Sequence, residues 1–327
     1  DVVFNAEGWR KSGARILAVV TLRLGEQGRH YRLPTDRDYE AARKAQELLA
    51  AILGEWEHEG KKGLCPVPDE VISLNEIRRI NVPIYGMTRW GDLFTARQKM
   101  ALLTLADAVR EKPELRGGAA RRAMAMVFGR CADYASSGVM WAQTGEFGAH
   151  TFGRQALPIV WDFAEPVLWS DSSGNLEGAI EWVTRVIAAW PGSPAGNVQP
   201  ADAAAHPLPD HAASVWFTDP PYYDAVPYAH LSDFFYACLR RLFSSDKPTL
   251  FGDPATPKDA EIVVDRAHSL SRSTKDAASY EAGMARAFTE GRRVLQSDGL
   301  GCIVFAHKTT EGWEALLTGV IRGGWTI

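Results

Sequence analysis

The chain has 327 residues, a length suited to two domains or to one large elaborated domain with a sizeable core. Hydrophobic residues supply 46% of it and charged residues 23%, an ordinary globular balance, and no apolar run approaches the roughly 20 residues that span a bilayer, which argues against a membrane role. A formal net charge of -4 denies the chain a global basic field, so any contact with nucleic acid has to be local.

Paired arginines occur at Arg78 with Arg79, Arg121 with Arg122, Arg240 with Arg241 and Arg292 with Arg293. Such pairs are expected on solvated helix faces, with phosphate binding the alternative. Cys65, Cys131, Cys238 and Cys302 lie tens of residues apart, without the close pairing of a zinc site or redox motif, and read as reduced, mostly buried thiols of a cytoplasmic protein. No charged segment followed by an apolar stretch marks a secretory signal. The chain opens at Asp1 and stops at "GGWTI", where Trp325 to Ile327 read as the start of a strand, so a fragment of a longer polypeptide is expected.

In chain order, "ARILAVVTLRLGEQGRHYRLPT" alternates and turns at Gly25 to Gly28, which predicts a β-hairpin. Thr35 and Asp36 are set to cap a helix with Leu48, Leu49, Ile52 and Leu53 as its stripe and Gly54 as its stop. After the loop "GKKGLCPVPDE", Thr95 and Gln98 have the spacing of a capping box for a helix running to Lys112, before Pro113. A third helix is predicted over 119–134. The aperiodic stretch 138–175, rich in Gly, Trp and Ser, is long for a loop in a compact domain, and such loops are often functional.

From Leu176 the texture changes. A helix to Trp190 ends at Pro191; short strands are predicted at 197–200 and at "VWFT", 215–218. There follow a helix over 280–295, a turn "SDG", a strand "GCIVFAH" and a helix "EGWEALLTGVIR" closed by Gly323 and Gly324. Strands alternating with helices predict an α/β fold with a mostly parallel sheet covered on both faces, in which a ligand sits beyond the carboxyl ends of the strands. The expected domains are 1–170, a hairpin and helical region of unknown role, and 171–327, the sheet-bearing part.

Asp219, Pro220, Pro221 and Tyr222 fall at such a strand end. Proline fixes φ, lacks an N–H and keeps its predecessor extended, so the corner is stiff and rich in acceptors. The Asp219 carboxylate and the Pro220 carbonyl together can accept both hydrogens of one aromatic amine, turning the nitrogen lone pair outward, while Tyr222 offers a ring for stacking. Tyr223, Asp224 and Tyr228 either line a pocket for that base or pack the start of the next helix. His307 and Lys308 end a strand at the same edge, where a histidine satisfied at a helix start is the favoured account.

"DPPY" after an apolar strand resembles the signature of S-adenosylmethionine-dependent amino methyltransferases. The longer "FTDPPYYDAVPYAHLSDFFY", with "YGMTRWGDLFTARQ" and "FAHKTTEGWEALL", is similar to the adenine-specific DNA methylases that carry a zinc-ribbon element. The resemblance implies a Rossmann-like methyltransferase sheet, methyl transfer from S-adenosyl-L-methionine to adenine N6 in DNA, and a base flipped out of the duplex. It implies catalytic roles for Asp219, Pro220, Pro221 and Tyr222. Asp202, with Ala203, matches the acid beside the cofactor's adenine, or else caps a turn; Asp219 also borders the cofactor. The family's glycine-rich cofactor loop and zinc-ribbon cysteines have no counterpart here. The resemblance places both upstream of Asp1, which predicts an incomplete sheet and an inactive fragment. Cytosine-N4 methylation and a non-catalytic nucleic-acid-binding or scaffold module are the alternatives. A metal hydrolase built on His206, His211, His230 and His268 lacks ligand spacing, and an esterase lacks a G-x-S-x-G elbow.

Overall fold

The computed structural model describes residues 3–4, 10–12, 14–23, 25–115, 118–190, 192, 194–245, 247–265 and 275–327. Contacts divide the chain into two compact units, Asp1–Pro191 with Leu231–Thr256, and Gly192–His230 with Pro257–Ile327.

In the first unit, β1 (Val3–Phe4) pairs antiparallel with β2 (Arg10–Ser12), and β3 (Val19–Thr21) with β4 (His30–Arg32). The second pair is the expected hairpin; Gly25 and Gly28 in its turn take φ of 80° and 92°, a region glycine enters without steric penalty. Helix α1 (Asp36–His58) begins with a capping box in which Thr35 and Asp38 bond reciprocally. It runs through Gly54 rather than ending there. One interior glycine costs only about 1 kcal/mol against alanine, less than the good helix formers around it supply, and the stop falls at Glu59 and Gly60.

Helix α2 (Ala96–Glu111) carries the predicted capping box of Thr95 and Gln98 and buries Gln98, Leu102, Leu105, Ala106 and Val109 at helical spacing. It packs between α1 and α3 (Gly118–Tyr134), and α3 packs in turn on α4 (Leu176–Ala189), whose N-cap is Asn175. The long stretch 138–175 holds one small antiparallel pair, β5 (Trp141–Ala142) with β6 (Phe147–Gly148). It is fastened to the helices: Glu165 binds Arg97 at 2.7 Å, Ser136 and Thr151 share a 2.7 Å hydroxyl contact, and Asp133 accepts from Phe152 N.

The segment 197–200 has no regular structure, so the strand expected there is absent. In the second unit, β7 (Ala213–Thr218) pairs parallel with β8 (Leu295–Ile303). The register jumps from Ala213↔Leu295 to Val215↔Leu300, so the expected "SDG" turn is instead absorbed as extra residues inside the strand. Regular β8 stops at Ile303, short of His307. Trp325 to Ile327 form no strand; Trp325 packs on Trp216 at 5.2 Å and donates from Nε1 to Phe288 O.

Helix α5 (Tyr228–Phe243) begins in the second unit and continues in the first, followed by the short α6 (Pro248–Phe251). Helix α7 (Ala277–Val294) buries Tyr280, Met284, Ala287, Phe288, Gly291 and Val294 along one stripe, and α8 (Thr310–Arg322) lays Ala315, Leu316 and Val320 against it. A Cβ on Gly291 would collide with the Trp216 indole, so glycine is what lets α7 lie this close to β7. The opposite sheet face stays open, with Val215, Phe217 and Leu300 at 59%, 65% and 72% exposure. The fold is therefore mixed α/β with a parallel two-stranded sheet covered by helix on one face, not the sheet covered on both faces that was expected.

Candidate functional site

Because β7 and β8 run parallel, their carboxyl ends share an edge. Val304 N donates to Thr218 O at 2.9 Å, and the chain after each strand meets the other there. The Tyr222 ring lies 5.5 Å from that of Phe305, edge-on, and Asp224 Oδ1 lies 3.2 Å from His307 Nε2.

The corner separates into two faces. Outward lie Asp219, which is exposed, the half-buried Tyr222, and Tyr228, which is 40% exposed. Hydrogen bonding to the Asp219 carboxylate, followed by desolvation, pushes the Tyr222 hydroxyl above its usual pKa. Burial, then the charges of Tyr222 and Asp219, does the same to Tyr228. Two phenols thus border one open carboxylate. Pro220 is buried and Pro221 half-buried, which anchors the turn.

Inward lie Tyr223 and Asp224. Tyr223 is 1% exposed and sits in the core with Tyr280, Met284 and Phe288; its hydroxyl donates to Glu311 Oε1 at 2.7 Å. Of its two readings, the structure gives it packing rather than an open pocket wall. Its φ is 53°, in the left-handed region that a non-glycine residue occupies at a cost of about 1–3 kcal/mol, so its surroundings hold it there. Tyr223 N donates to Pro221 O at 2.9 Å and Val264 N to Tyr223 O at 3.1 Å, while Tyr280 Oη donates to Pro221 O at 2.8 Å.

Asp224 is likewise turned to a protein partner. Thr309 N and Oγ1 lie 3.2 and 3.0 Å from His307 Nδ1, so a backbone donor makes Nδ1 the acceptor and leaves Nε2–H to bond Asp224. Thr309, His307 and Asp224 have the order of a hydrolase triad, yet Thr309 Oγ1 caps α8 by accepting from Gly312 N. His307 is the satisfied histidine at a helix start that the sequence suggests.

Asp202 and Ala203 are exposed, and Asp202 Oδ1 accepts from Ala204 N at 2.8 Å in a local turn. Asp202 thus makes the local turn bond named by one of its two readings. Three of the paired arginines depart from the expected solvated faces, whereas Arg78 and Arg122 are exposed as expected. Arg121, Arg240 and Arg241 are buried. Arg240 and Arg241 both bond Glu70 Oε1; Arg241 also donates to Cys65 O, Val67 O, Ala237 O and Asp69, and Arg240 to Phe251 O and Gly252 O. These guanidiniums fasten segments of the first unit to one another, and all five N–H groups of Arg241 are engaged by protein acceptors.

A hollow in the first unit, lined by Phe94, Lys99, Leu102, Phe128 and Cys238, encloses about 30 Å³, room for a water or two and far too little for a nucleobase. Among the described residues no group of three or more His, Cys, Asp or Glu is arranged to hold a metal, and no helix is long and apolar enough to cross a membrane. His268 lies outside the described residues. Sequence reasoning missed Tyr280 and Glu311 behind the corner; Tyr280 lies on the buried stripe of α7 and Glu311 is an exposed acid in the first turn of α8, and neither pattern reveals a polar tip that reaches a turn. No family model, curated protein or solved structure matches the chain.

Proposed function

We propose that the Asp219–Tyr222 corner is the amine-gripping site of an S-adenosylmethionine-dependent methyltransferase acting on adenine N6 in DNA. The observation that carries this reading is an exposed carboxylate on a stiff double-proline turn at the carboxyl end of a parallel strand, bordered by aromatic side chains. S-adenosylmethionine would supply the methyl group. The chain's own residues act on the acceptor: Asp219 accepts a hydrogen bond from one amine N–H and the Pro220 carbonyl from the other, which favours a pyramidal nitrogen with its lone pair directed away from the turn, and the methylated amine then loses one proton to solvent. Tyr222, braced edge-on by Phe305, supplies a stacking face worth ~1–3 kcal/mol, against the few kcal/mol needed to take a base out of the duplex.

The test is methyl transfer from labelled cofactor to DNA by the intact protein. Asp219→Ala should lower the rate on the order of 10²–10³-fold, the usual loss for one electrostatic contact to the reacting group, without loss of folded protein. Undiminished transfer by Asp219→Ala refutes the assignment, and transfer to cytosine in place of adenine corrects the substrate.

A further inference from the structure

We propose that Tyr280 and Glu311 are positioning residues for this corner, an inference that rests on the reading just given. Two hydrogen bonds from different helices fasten the two residues that follow Pro220 and Tyr222. Tyr280 on α7 donates to Pro221 O at 2.8 Å, and Glu311 on α8 accepts from Tyr223 Oη at 2.7 Å. The Tyr223 and Tyr280 rings also meet edge to face at 5.1 Å. Pro221 O and Tyr223 are one and two peptide units beyond the Pro220 carbonyl that the chemistry uses.

A left-handed tyrosine after two prolines is not what the local sequence prefers, so the orientation of the turn has to be imposed by these contacts. Pro221 holds Pro220 extended but leaves its own ψ open, and that ψ decides where the Pro221 carbonyl points and how the chain turns into Tyr222. Tyr280 and Glu311 therefore fix the turn that carries the acceptors while touching no reactant. Neither group needs to change protonation for this. Burial raises the pKa of Tyr280, which keeps its hydroxyl a donor.

Tyr280→Phe in the intact protein removes one hydroxyl and keeps the ring in the core. It should lower kcat by about 10²-fold, the scale of an ångström-sized misplacement, with KM for DNA and cofactor within about twofold and melting within about 2 °C of wild type. Glu311→Ala should behave alike, and Glu311→Gln, whose amide oxygen still accepts, should recover most of kcat. Hydrogen exchange provides a readout that needs no activity: amides of residues 222–225 should exchange at least about tenfold faster in Tyr280→Phe, as a locally opened segment does. Wild-type kcat in Tyr280→Phe while Asp219→Ala is inactive overturns the positioning role alone. Full activity in Asp219→Ala overturns the function, and unchanged exchange in Tyr280→Phe overturns the positioning role even then.

Discussion

Glu70 in the first unit and Asp219 in the second are both carboxylates beside structured backbone, and their surroundings are opposite. Glu70 is 8% exposed and is gripped by two guanidiniums that are themselves bonded to backbone carbonyls, whereas Asp219 is exposed to solvent on a turn beside the Tyr222 phenol. A charge whose neighbours are all protein groups serves the fold, and a charge left open on a rigid support can serve a reactant. The same contrast recurs within six residues of chain, where Asp219 points out and Asp224 is bound to His307.

The contrast breaks most visibly at Glu70. Glu70→Ala leaves two buried guanidiniums without their shared anion and should lower unfolding free energy by about 3–5 kcal/mol in denaturant titration. Asp219→Ala should change stability by no more than about 0.5 kcal/mol, as exposed substitutions usually do. Equal stability losses at the two positions would erase the distinction.

A smaller effect is expected where a cap joins helix to loop. Thr95→Ala removes the hydroxyl that accepts from Gln98 N and lies 3.2 Å from Glu165, and should lower stability by about 1 kcal/mol, read from the same titration. A loss indistinguishable from zero would mean that the 138–175 stretch does not depend on the start of α2.

The gentlest probe is thiol chemistry. Burial pushes the Cys131 and Cys238 thiols from 9.0 up to about 12, while Cys302 is exposed on β8. A thiol reagent at neutral pH should label Cys302 in the folded protein and reach Cys131 and Cys238 only after unfolding. The folded state holds these two protons more tightly than the unfolded chain. Their contribution to stability is therefore whole below pH 9.0 and declines as pH rises towards 12. Early labelling of Cys238 would show that the first unit opens locally.

Much of the local structure is legible in the chain. The Thr95–Gln98 spacing, the glycine turn of the β3–β4 hairpin and the apolar stripes of α7 and α8 each depend on residues a few positions apart, so pattern alone suffices for them. The DPPY corner is legible for the same reason, since proline geometry and residue type mark it without any partner. The misreadings involve partners far away. "SDG" reads as a turn until β7 pairs across it, Gly54 reads as a stop until the helix around it outweighs it, and the Arg240–Arg241 pair reads as surface until Glu70 arrives from 170 residues earlier.

What the sequence by itself determined is where the stiff corner lies and which acceptors it carries, because φ restriction and the absence of an N–H are properties of proline wherever it occurs. Only the tertiary structure decided which way each side chain of that corner turns. Tyr223 and Asp224 face inward because α7 and α8 supply Tyr280, Glu311 and His307 to meet them, and Asp219 faces outward because none of those partners is its own. Direction in such a turn is set by hydrogen bonds between segments tens of residues apart, and no local pattern contains them.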